Sequence, residues 1–129
     1  MGHIFKFVKN IFLKEYQTFA KELGFNSWDD VLENTYEIFK MHPDASYLVT
    51  QSKEDKWIVW NDEGSLPYSF LVFSTWFDAI SYLRKIFEEG KYEEHYWRPE
   101  GFDPGENIFK NIPDKKKIMN NRMFTPLMF

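Results

Sequence analysis

The chain of 129 residues contains no cysteine and only three histidines. Without thiols there can be no disulfide, no thiolate catalysis and no zinc–thiolate site, and this composition is typical of a protein kept in a reducing cytoplasm. His3, His42 and His95 are far apart, and no two of them have the three- or four-residue spacing that places two ligands on one helix. We therefore predict no metal site.

The sequence signatures of common enzyme sites are also missing. Neither a glycine-rich phosphate-binding motif nor the G-x-S-x-G motif of a serine nucleophile occurs. Carboxylates are abundant, but no two stand out as the acid and the base that hydrolysis requires. We predict a protein that is not an enzyme, with no catalytic residue and no cofactor.

Long apolar runs are absent too. The most apolar N-terminal stretch, IFKFVKNIFLKEY, is interrupted by lysines every few residues. A signal peptide needs a continuous apolar core, and a membrane-spanning helix needs about 20 apolar residues. We expect a soluble, cytoplasmic protein that does not bind a membrane.

Aromatic residues, in contrast, are plentiful: 14 Phe, 7 Tyr and 5 Trp make up 20% of the chain. Rings bury large apolar areas, so the chain has ample material for the core of one domain. A chain this short is not expected to bury all of them. Some rings are therefore predicted to line a groove or an interface.

Three helices are predicted from apolar spacing and end signals. The first covers residues 4–23 and stops at Gly24. The second starts at a Ser27 cap, stops at His42-Pro43 and has an inner face formed by Trp28, Val31, Leu32, Thr35, Ile38 and Phe39. The third runs from a Thr75 cap, completed by Asp78, to Gly90.

Strands are predicted at residues 45–51, 56–61 and 68–73, the second of them central because WIVW is apolar on both faces. The order α-α-β-β-β-α predicts an α+β domain over residues 1–90, with a three-stranded antiparallel meander and helices packed on one face. Residues 91–129 read as an irregular extension packed on the core or on a partner. It includes a short helix after Asp114 and an apolar end, TPLMF. We expect this end to dock either on the domain itself or on a second copy, which would form a homodimer.

Charge is unevenly distributed around the net value of −4. Residues 24–63 carry nine acidic and three basic side chains, and residues 107–129 are basic, with Lys115–Lys117 read as a solubilising run. On the predicted second helix, Asp29, Glu33 and Glu37 would form a ridge of like charge at i, i+4 and i+8, which costs a few tenths of a kcal/mol per pair. Such a ridge is either simply solvated or complementary to a basic partner, and it would repel nucleic acid.

The stretch EEHYWRPEGFDPGENIF, residues 93–109, is a loop shaped by two prolines and two glycines. Its Tyr96, Trp97 and Arg98 are residue types enriched in binding hot spots, and they sit among carboxylates. The alternative is that the two rings pin the loop to the core while Arg98 pairs with an acid. We expect a loop that packs and also recognises.

Together these patterns predict a non-enzymatic protein-binding module. Its small, acidic, aromatic-rich and thiol-free character resembles that of toxin-neutralising immunity proteins and phage-encoded inhibitors, which implies an inhibitor that covers a basic protein surface. The predicted partner-binding residues are Asp29, Glu33, Glu37, Asp62, Glu63, Glu93, Glu94, Tyr96, Trp97 and Arg98. The alternative is a small-molecule-binding domain with an aromatic pocket between the sheet and the C-terminal segment.

Overall fold

The computed structural model describes residues 13–41 and 44–118. It confirms the α+β class but contains one strand more than predicted. The elements in chain order are α1 (residues 13–22), α2 (Trp28–Glu33), β1 (Thr35–Met41), β2 (Ala45–Gln51), β3 (Trp57–Asn61), β4 (Phe70–Phe73), α3 (Trp76–Glu89) and a 3₁₀ turn (Glu94–Tyr96). The four strands form one antiparallel meander in the order β1-β2-β3-β4.

The extra strand, β1, occupies the second half of what was predicted as the second helix. That prediction was wrong, because α2 ends at Glu33, where Asn34 caps the last carbonyls. The following residues, TYEIFKM, are rich in β-branched and aromatic side chains, which favour a strand. The predicted acidic ridge therefore does not exist as one helical face, since Glu37 lies in β1.

Helices cover both faces of the sheet, so the predicted one-sided arrangement was also wrong. On one face, Trp57 and Val59 of β3 share a buried cluster with the apolar side of α3. On the other face, Ile58 and Trp60 share a second cluster with Phe19 of α1. The cause is the continuous apolar run of β3, which is buried on both sides and requires a cover on each.

Both predicted helix caps are present. The Ser27 hydroxyl accepts a hydrogen bond from the Asp30 N–H at 3.2 Å, and the Thr75 hydroxyl accepts one from the Asp78 N–H at 3.1 Å. Each cap satisfies a backbone N–H that has no partner within its helix. The two caps fix where α2 and α3 begin on opposite faces of the sheet.

Residues 92–118 have little regular structure but pack closely on the sheet and α3. The indole N–H of Trp76 donates to the carbonyl of Ile108 at 2.8 Å, and the ring packs on Phe102. The Asp114 carboxylate accepts the N–H of Lys116 at 2.9 Å and so caps a helical turn at residues 115–118, as predicted. This segment also covers the outer edge of β1, where Trp97 forms a bridge with Phe39.

Several predictions fall on parts of the chain outside the described residues. These are the start of the first helix and the apolar C-terminal end with its docking on the domain or on a second copy. His42 and Pro43 also lie outside the described residues, but the prediction that the second helix extends to them was wrong, because α2 ends at Glu33. Within the described ranges, no helix is both long enough and apolar enough to cross a membrane.

Candidate functional site

A cavity of about 270 Å³ opens where β1 and β2 meet the 3₁₀ turn. Its lining residues are Glu37, Lys40, Met41, Asp44, Ala45, Ser46 and Tyr96. Two further carboxylates, Asp62 and Glu100, interact electrostatically with Glu37. We refer to this cavity together with Asp62 and Glu100 as the acidic notch.

The position of Glu37 in the notch follows from the edge of β1. Glu37 lies opposite Leu48 of β2, and a β-bulge interrupts the register between Glu37 and Phe39. Bulges at sheet edges commonly redirect side chains toward functional sites. The Glu37 side chain is half-buried, as are those of its neighbours Ser46 and Asp62.

Glu100 contacts Glu37 through two reciprocal hydrogen bonds, one to the Glu100 side chain and one between the backbones. The N–H of Glu37 donates to Oε1 of Glu100 at 2.8 Å, and the N–H of Glu100 donates to the carbonyl of Glu37 at 2.9 Å. The Arg98 N–H donates to the carbonyl of Ile38 at 3.0 Å. These contacts fasten the loop to the edge of β1 and place a second carboxylate beside Glu37.

Asp62, just after β3, forms a similar pair of reciprocal hydrogen bonds with Ser46 on β2. Its Oδ1 accepts the Ser46 N–H at 2.6 Å, and its own N–H donates to the Ser46 carbonyl at 3.2 Å. The Asp62 carboxylate therefore terminates the β2–β3 ladder. It also adds negative charge near Glu37.

The electrostatics of the notch centre on Glu37. Burial raises the pKa of its carboxyl above the ordinary value, and the nearby charges of Glu100 and Asp62 raise it further. Lys40 and a hydrogen bond from Ser46 act in the opposite direction. The net result is a raised pKa of Glu37, with burial as the largest cause.

An aromatic ring forms one wall of the notch. Tyr96, at the end of the 3₁₀ turn, is half-buried and lines the cavity beside Glu37. Its ring lies 4.2 Å from that of His95, and its N–H donates to the carbonyl of Glu93. A ring beside carboxylates is suited to a cationic group, because the face of the ring attracts positive charge.

The structure brings together only some of the residues predicted from the sequence. Glu37, Asp62 and Tyr96 meet in the acidic notch. Asp29 and Glu33 lie exposed on α2, and Glu63 lines a different cavity. None of these last three lines the notch.

The rest of the predicted loop makes internal contacts. Arg84 of α3 forms two parallel hydrogen bonds with the Glu94 carboxylate, at 2.8 and 2.9 Å, and lies over the ring of Trp97, 5.1 Å from its centroid. Trp97 also packs on Phe39 and Phe87. These contacts match the alternative in which the rings pin the loop to the core.

The remaining charged loop residues also have neighbours within the loop. The exposed Glu93 lies 3.3 Å from the His95 ring nitrogen Nδ1. The guanidinium Nε of Arg98 donates to the His95 carbonyl at 3.0 Å, rather than to an acid as the alternative proposed. Of the loop residues predicted to bind a partner, Tyr96 is thus the one that lines the notch.

Two lysines of the basic run at 115–117 are likewise used inside the fold. The Lys115 ammonium donates to the carbonyl of Leu32, in α2, and to that of Thr35, the first residue of β1. Lys117 forms ion pairs with Asp103 and Glu106 at 3.1 and 2.8 Å. Both lysines therefore fasten the C-terminal segment to other parts of the chain.

Sequence reasoning missed six residues of the notch: the apolar Met41 and Ala45, and the polar Lys40, Asp44, Ser46 and Glu100. Lys40 and Ser46 pair across β1 and β2, so a correct assignment of β1 as a strand would have grouped them with Glu37. Glu100 is 63 residues from Glu37 along the chain, and no local pattern indicates their contact.

Comparison with known proteins finds no family model, no curated protein and no solved structure that matches this chain. Over the described ranges, no three acidic or histidine side chains are arranged to hold a metal ion. The acidic notch places the carboxylates of Glu37, Asp44, Asp62 and Glu100 near one lysine, Lys40, and one aromatic wall, Tyr96. Such an arrangement can bind an organic cation.

Proposed function

We propose that this protein is a non-enzymatic protein-binding module whose acidic notch receives a lysine or arginine side chain of a basic partner. In this proposal the module acts as an inhibitor of the immunity type, because it would cover a basic surface of its partner. The partner's cation would sit beside Glu37 and against the ring of Tyr96.

One observation carries the proposal: the half-buried Glu37 shares the acidic notch with three other carboxylates, those of Asp44, Asp62 and Glu100, and with one lysine, Lys40. Burial and the carboxylates of Glu100 and Asp62 raise the pKa of Glu37, and Lys40 only partly opposes them. A second cation in the notch would stabilise the charged form of Glu37. The free energy gained in this way would be available for binding.

The size of the notch favours a side chain over a free small molecule. Pockets for small molecules usually measure about 300–1,000 Å³ and are lined mainly by apolar groups. The notch, at about 270 Å³, is smaller and is lined by Glu37, Lys40, Asp44 and Ser46 as well as by apolar groups. These properties suit one charged side chain presented by a larger partner.

The backbone hydrogen bonds that the carboxylates of the notch accept favour binding over hydrolysis. Glu100 accepts the Glu37 N–H, and Asp62 accepts the Ser46 N–H, so each has a structural partner in the backbone. A hydrolase would need two carboxylates that both face the substrate, one as acid and one as base. The backbone-held carboxylates are better suited to fixed electrostatic attraction.

The net charge of −4 supports fast association with a basic partner. Complementary charge steers two proteins together and makes the association rate fall as salt concentration rises. We therefore expect binding that is strong at low ionic strength and released by a salt step.

The experiment is an affinity capture from a lysate of the native host with three baits. The first is the wild type, the second combines Glu37→Gln, Asp62→Asn and Glu100→Gln, and the third combines Asp29→Asn, Glu33→Gln and Glu63→Gln. The second and third baits lose the same three negative charges, but only the second alters the acidic notch. Proteins released by salt are identified by mass spectrometry.

The proposal expects one basic protein, retained by the wild type and by the third bait but lost from the second. Equal loss from the second and third baits would show that net charge, and not the notch, drives binding. A wild-type bait that retains no basic protein would contradict the proposal.

A second candidate function is binding of an apolar small molecule. The ring-lined pocket predicted between the sheet and the C-terminal segment is occupied by packed side chains, since Trp76 lies against both Trp57 and Phe102. A groove of about 500 Å³ exists elsewhere, between α1 and the loop before β4, and is lined in part by Phe19, Leu66 and Pro67. Binding of an apolar dye that is insensitive to salt and is abolished by Leu66→Arg would favour this function.

A further inference from the structure

We propose that the outer edge of β4 pairs with the β4 edge of a second copy of this chain, so that two four-stranded sheets form one continuous antiparallel sheet. The acidic notch lies at the other edge of the sheet, on β1, so this inference is independent of the proposed function.

The two edges of the sheet differ in their cover. The outer edge of β1 is paired with the loop, through the Phe39–Trp97 bridge and the hydrogen bonds from Arg98 and Glu100. β4 is the last strand in the order β1-β2-β3-β4, and within the described ranges its ladder partner is β3 alone. An edge without cover presents backbone N–H and C=O groups that can pair with another strand.

Proteins protect edge strands by keeping them very short or with charged side chains, prolines or bulges. β4 is short, at four residues, but it lacks the other three features. The strand reads FLVF, its register with β3 is regular, and no charged residue occurs anywhere from 64 to 77. This uncharged stretch is conspicuous in a chain in which 28% of residues are charged.

Apolar side chains at this edge are exposed on both faces of the sheet. Leu71 is 48% exposed and Val72 is 53% exposed. Consecutive residues of a strand point to opposite faces, so the exposure belongs to the edge itself and not to one uncovered face. Phe77, at the start of α3, adds a third exposed apolar side chain, 41% exposed.

A second copy is the occupant that suits this edge best. Two copies related by a two-fold axis perpendicular to the sheet bring β4 against itself in antiparallel orientation, with Leu71 or Val72 opposite its own counterpart. Every register then pairs uncharged residues, and no like charges oppose each other. A partner selected by charge, in contrast, would find no charge on this strand to pair with.

The strand has only four residues, so backbone pairing alone gives a small interface. Leu71, Val72 and Phe77 must supply additional apolar contact, since stable interfaces usually bury more than about 1,000 Å² in total. A single charge on the strand should therefore be enough to break the dimer, because it would face the same charge across the two-fold axis.

The test measures molar mass by sedimentation and by light scattering, as a function of protein concentration. Four proteins are compared: wild type, Leu71→Lys, Val72→Lys and a control, Ile112→Lys. Ile112 is 55% exposed, which matches Val72, but it lies in the C-terminal segment. The two lysine variants place the charge on opposite faces of the strand, so that one remains informative if the other does not fold.

We expect wild type and Ile112→Lys to be dimers, with the dissociation constant raised at least about tenfold by Leu71→Lys or Val72→Lys. Hydrogen exchange should show β4 amides that are protected more strongly in wild type at high concentration than at low concentration. A wild type that is monomeric at about 100 µM would overturn the inference. A dimer that persists in both strand variants would overturn it as well.

Discussion

Glu37 and Glu100, 63 residues apart in the chain, hydrogen-bond each other through their backbones and one carboxylate. The Glu37 N–H donates to the Glu100 side chain at 2.8 Å, and the Glu100 N–H donates to the Glu37 carbonyl at 2.9 Å. These two hydrogen bonds join the loop to the edge of β1 and concentrate negative charge there. The stability of the loop and the electrostatics of the acidic notch therefore depend on the same contact.

Replacement of Glu100 should separate its structural role from its charge. Glu100→Ala removes the acceptor of the Glu37 N–H and should lower the free energy of unfolding by about 1 kcal/mol. Glu100→Gln keeps an acceptor oxygen and should retain most of that stability. Urea unfolding followed by circular dichroism measures both variants. Equal loss in the two would show that the charge, and not the hydrogen bond, stabilises the loop.

Replacement of Glu37 should change how stability depends on pH. Folding raises the pKa of the Glu37 carboxyl. The protonated carboxyl therefore stabilises the fold at pH values below the pKa of the unfolded chain, near about 4.3. This contribution is lost as the pH rises through the pKa of the folded state. Glu37→Gln removes the charged form, so at neutral pH the variant should be more stable than wild type, by less than about 1 kcal/mol because the side chain is half-exposed. The difference should shrink toward pH 4.

Unfolding curves collected between pH 4 and pH 8 test this prediction. The control is Glu63→Gln, which removes a carboxylate on an exposed turn, outside the notch. A Glu37→Gln variant that is less stable than wild type at neutral pH would contradict the described electrostatics of the notch.

A buried hydroxyl pair links β1 to the face of the sheet under α1. Thr50 lies 2.6 Å from the Thr35 hydroxyl and accepts the Trp60 indole N–H at 2.9 Å. Thr50→Val keeps the shape but leaves the indole N–H without that acceptor, which should cost about 1–3 kcal/mol. The exposed Thr18→Val should change stability by less than about 0.5 kcal/mol. Urea unfolding compares the two, and equal effects would refute a role for the buried pair.

Two glycines with positive φ provide a matched comparison of backbone strain and crowding. A β-carbon at Gly101 would lie 2.6 Å from Cβ of Pro113 and 2.9 Å from the Tyr36 ring, whereas one at Gly105 would have no described atom within 4 Å. Gly105→Ala should cost about 1 kcal/mol from backbone strain alone. Gly101→Ala should cost more, about 2–4 kcal/mol, because the loop must also move.

Thermal and urea unfolding of the two glycine variants measure the difference. Gly101→Ala should additionally increase amide exchange at Glu100, next to the substituted position. Equal destabilisation by the two substitutions would indicate that the loop adjusts without cost at Gly101.

The misreading of β1 has a definite physical origin. A strand that is buried on one side alternates strictly, but the bulge between Glu37 and Phe39 breaks the alternation, so that both Ile38 and Phe39 are buried. With Val31 and Thr35, the buried positions then fall three or four residues apart, which is the spacing of a helix. Asn34 was the local signal for the end of the helix, together with the β-branched and aromatic residues that follow it.

Local sequence signals were sufficient to predict helices and strands where the signals agreed with one another. Ser27 and Thr75 both cap helices as predicted, and WIVW is an interior strand of the sheet. Because that strand is apolar on both faces, it implied that helices cover both faces of the sheet, but this was not inferred from the sequence. The contact between Glu37 and Glu100 has no local signal, because it depends on how the loop returns to the edge of β1.

The most direct test of the acidic notch is the dissociation constant of the captured basic protein for three purified proteins, measured calorimetrically at low and high salt. The three are the wild type, the Glu37→Gln/Asp62→Asn/Glu100→Gln variant and the Asp29→Asn/Glu33→Gln/Glu63→Gln variant. We predict that the notch variant binds at least about tenfold more weakly than the control of equal charge, and that this gap narrows at high salt. Equal affinities of these two variants would contradict the assignment of binding to the acidic notch.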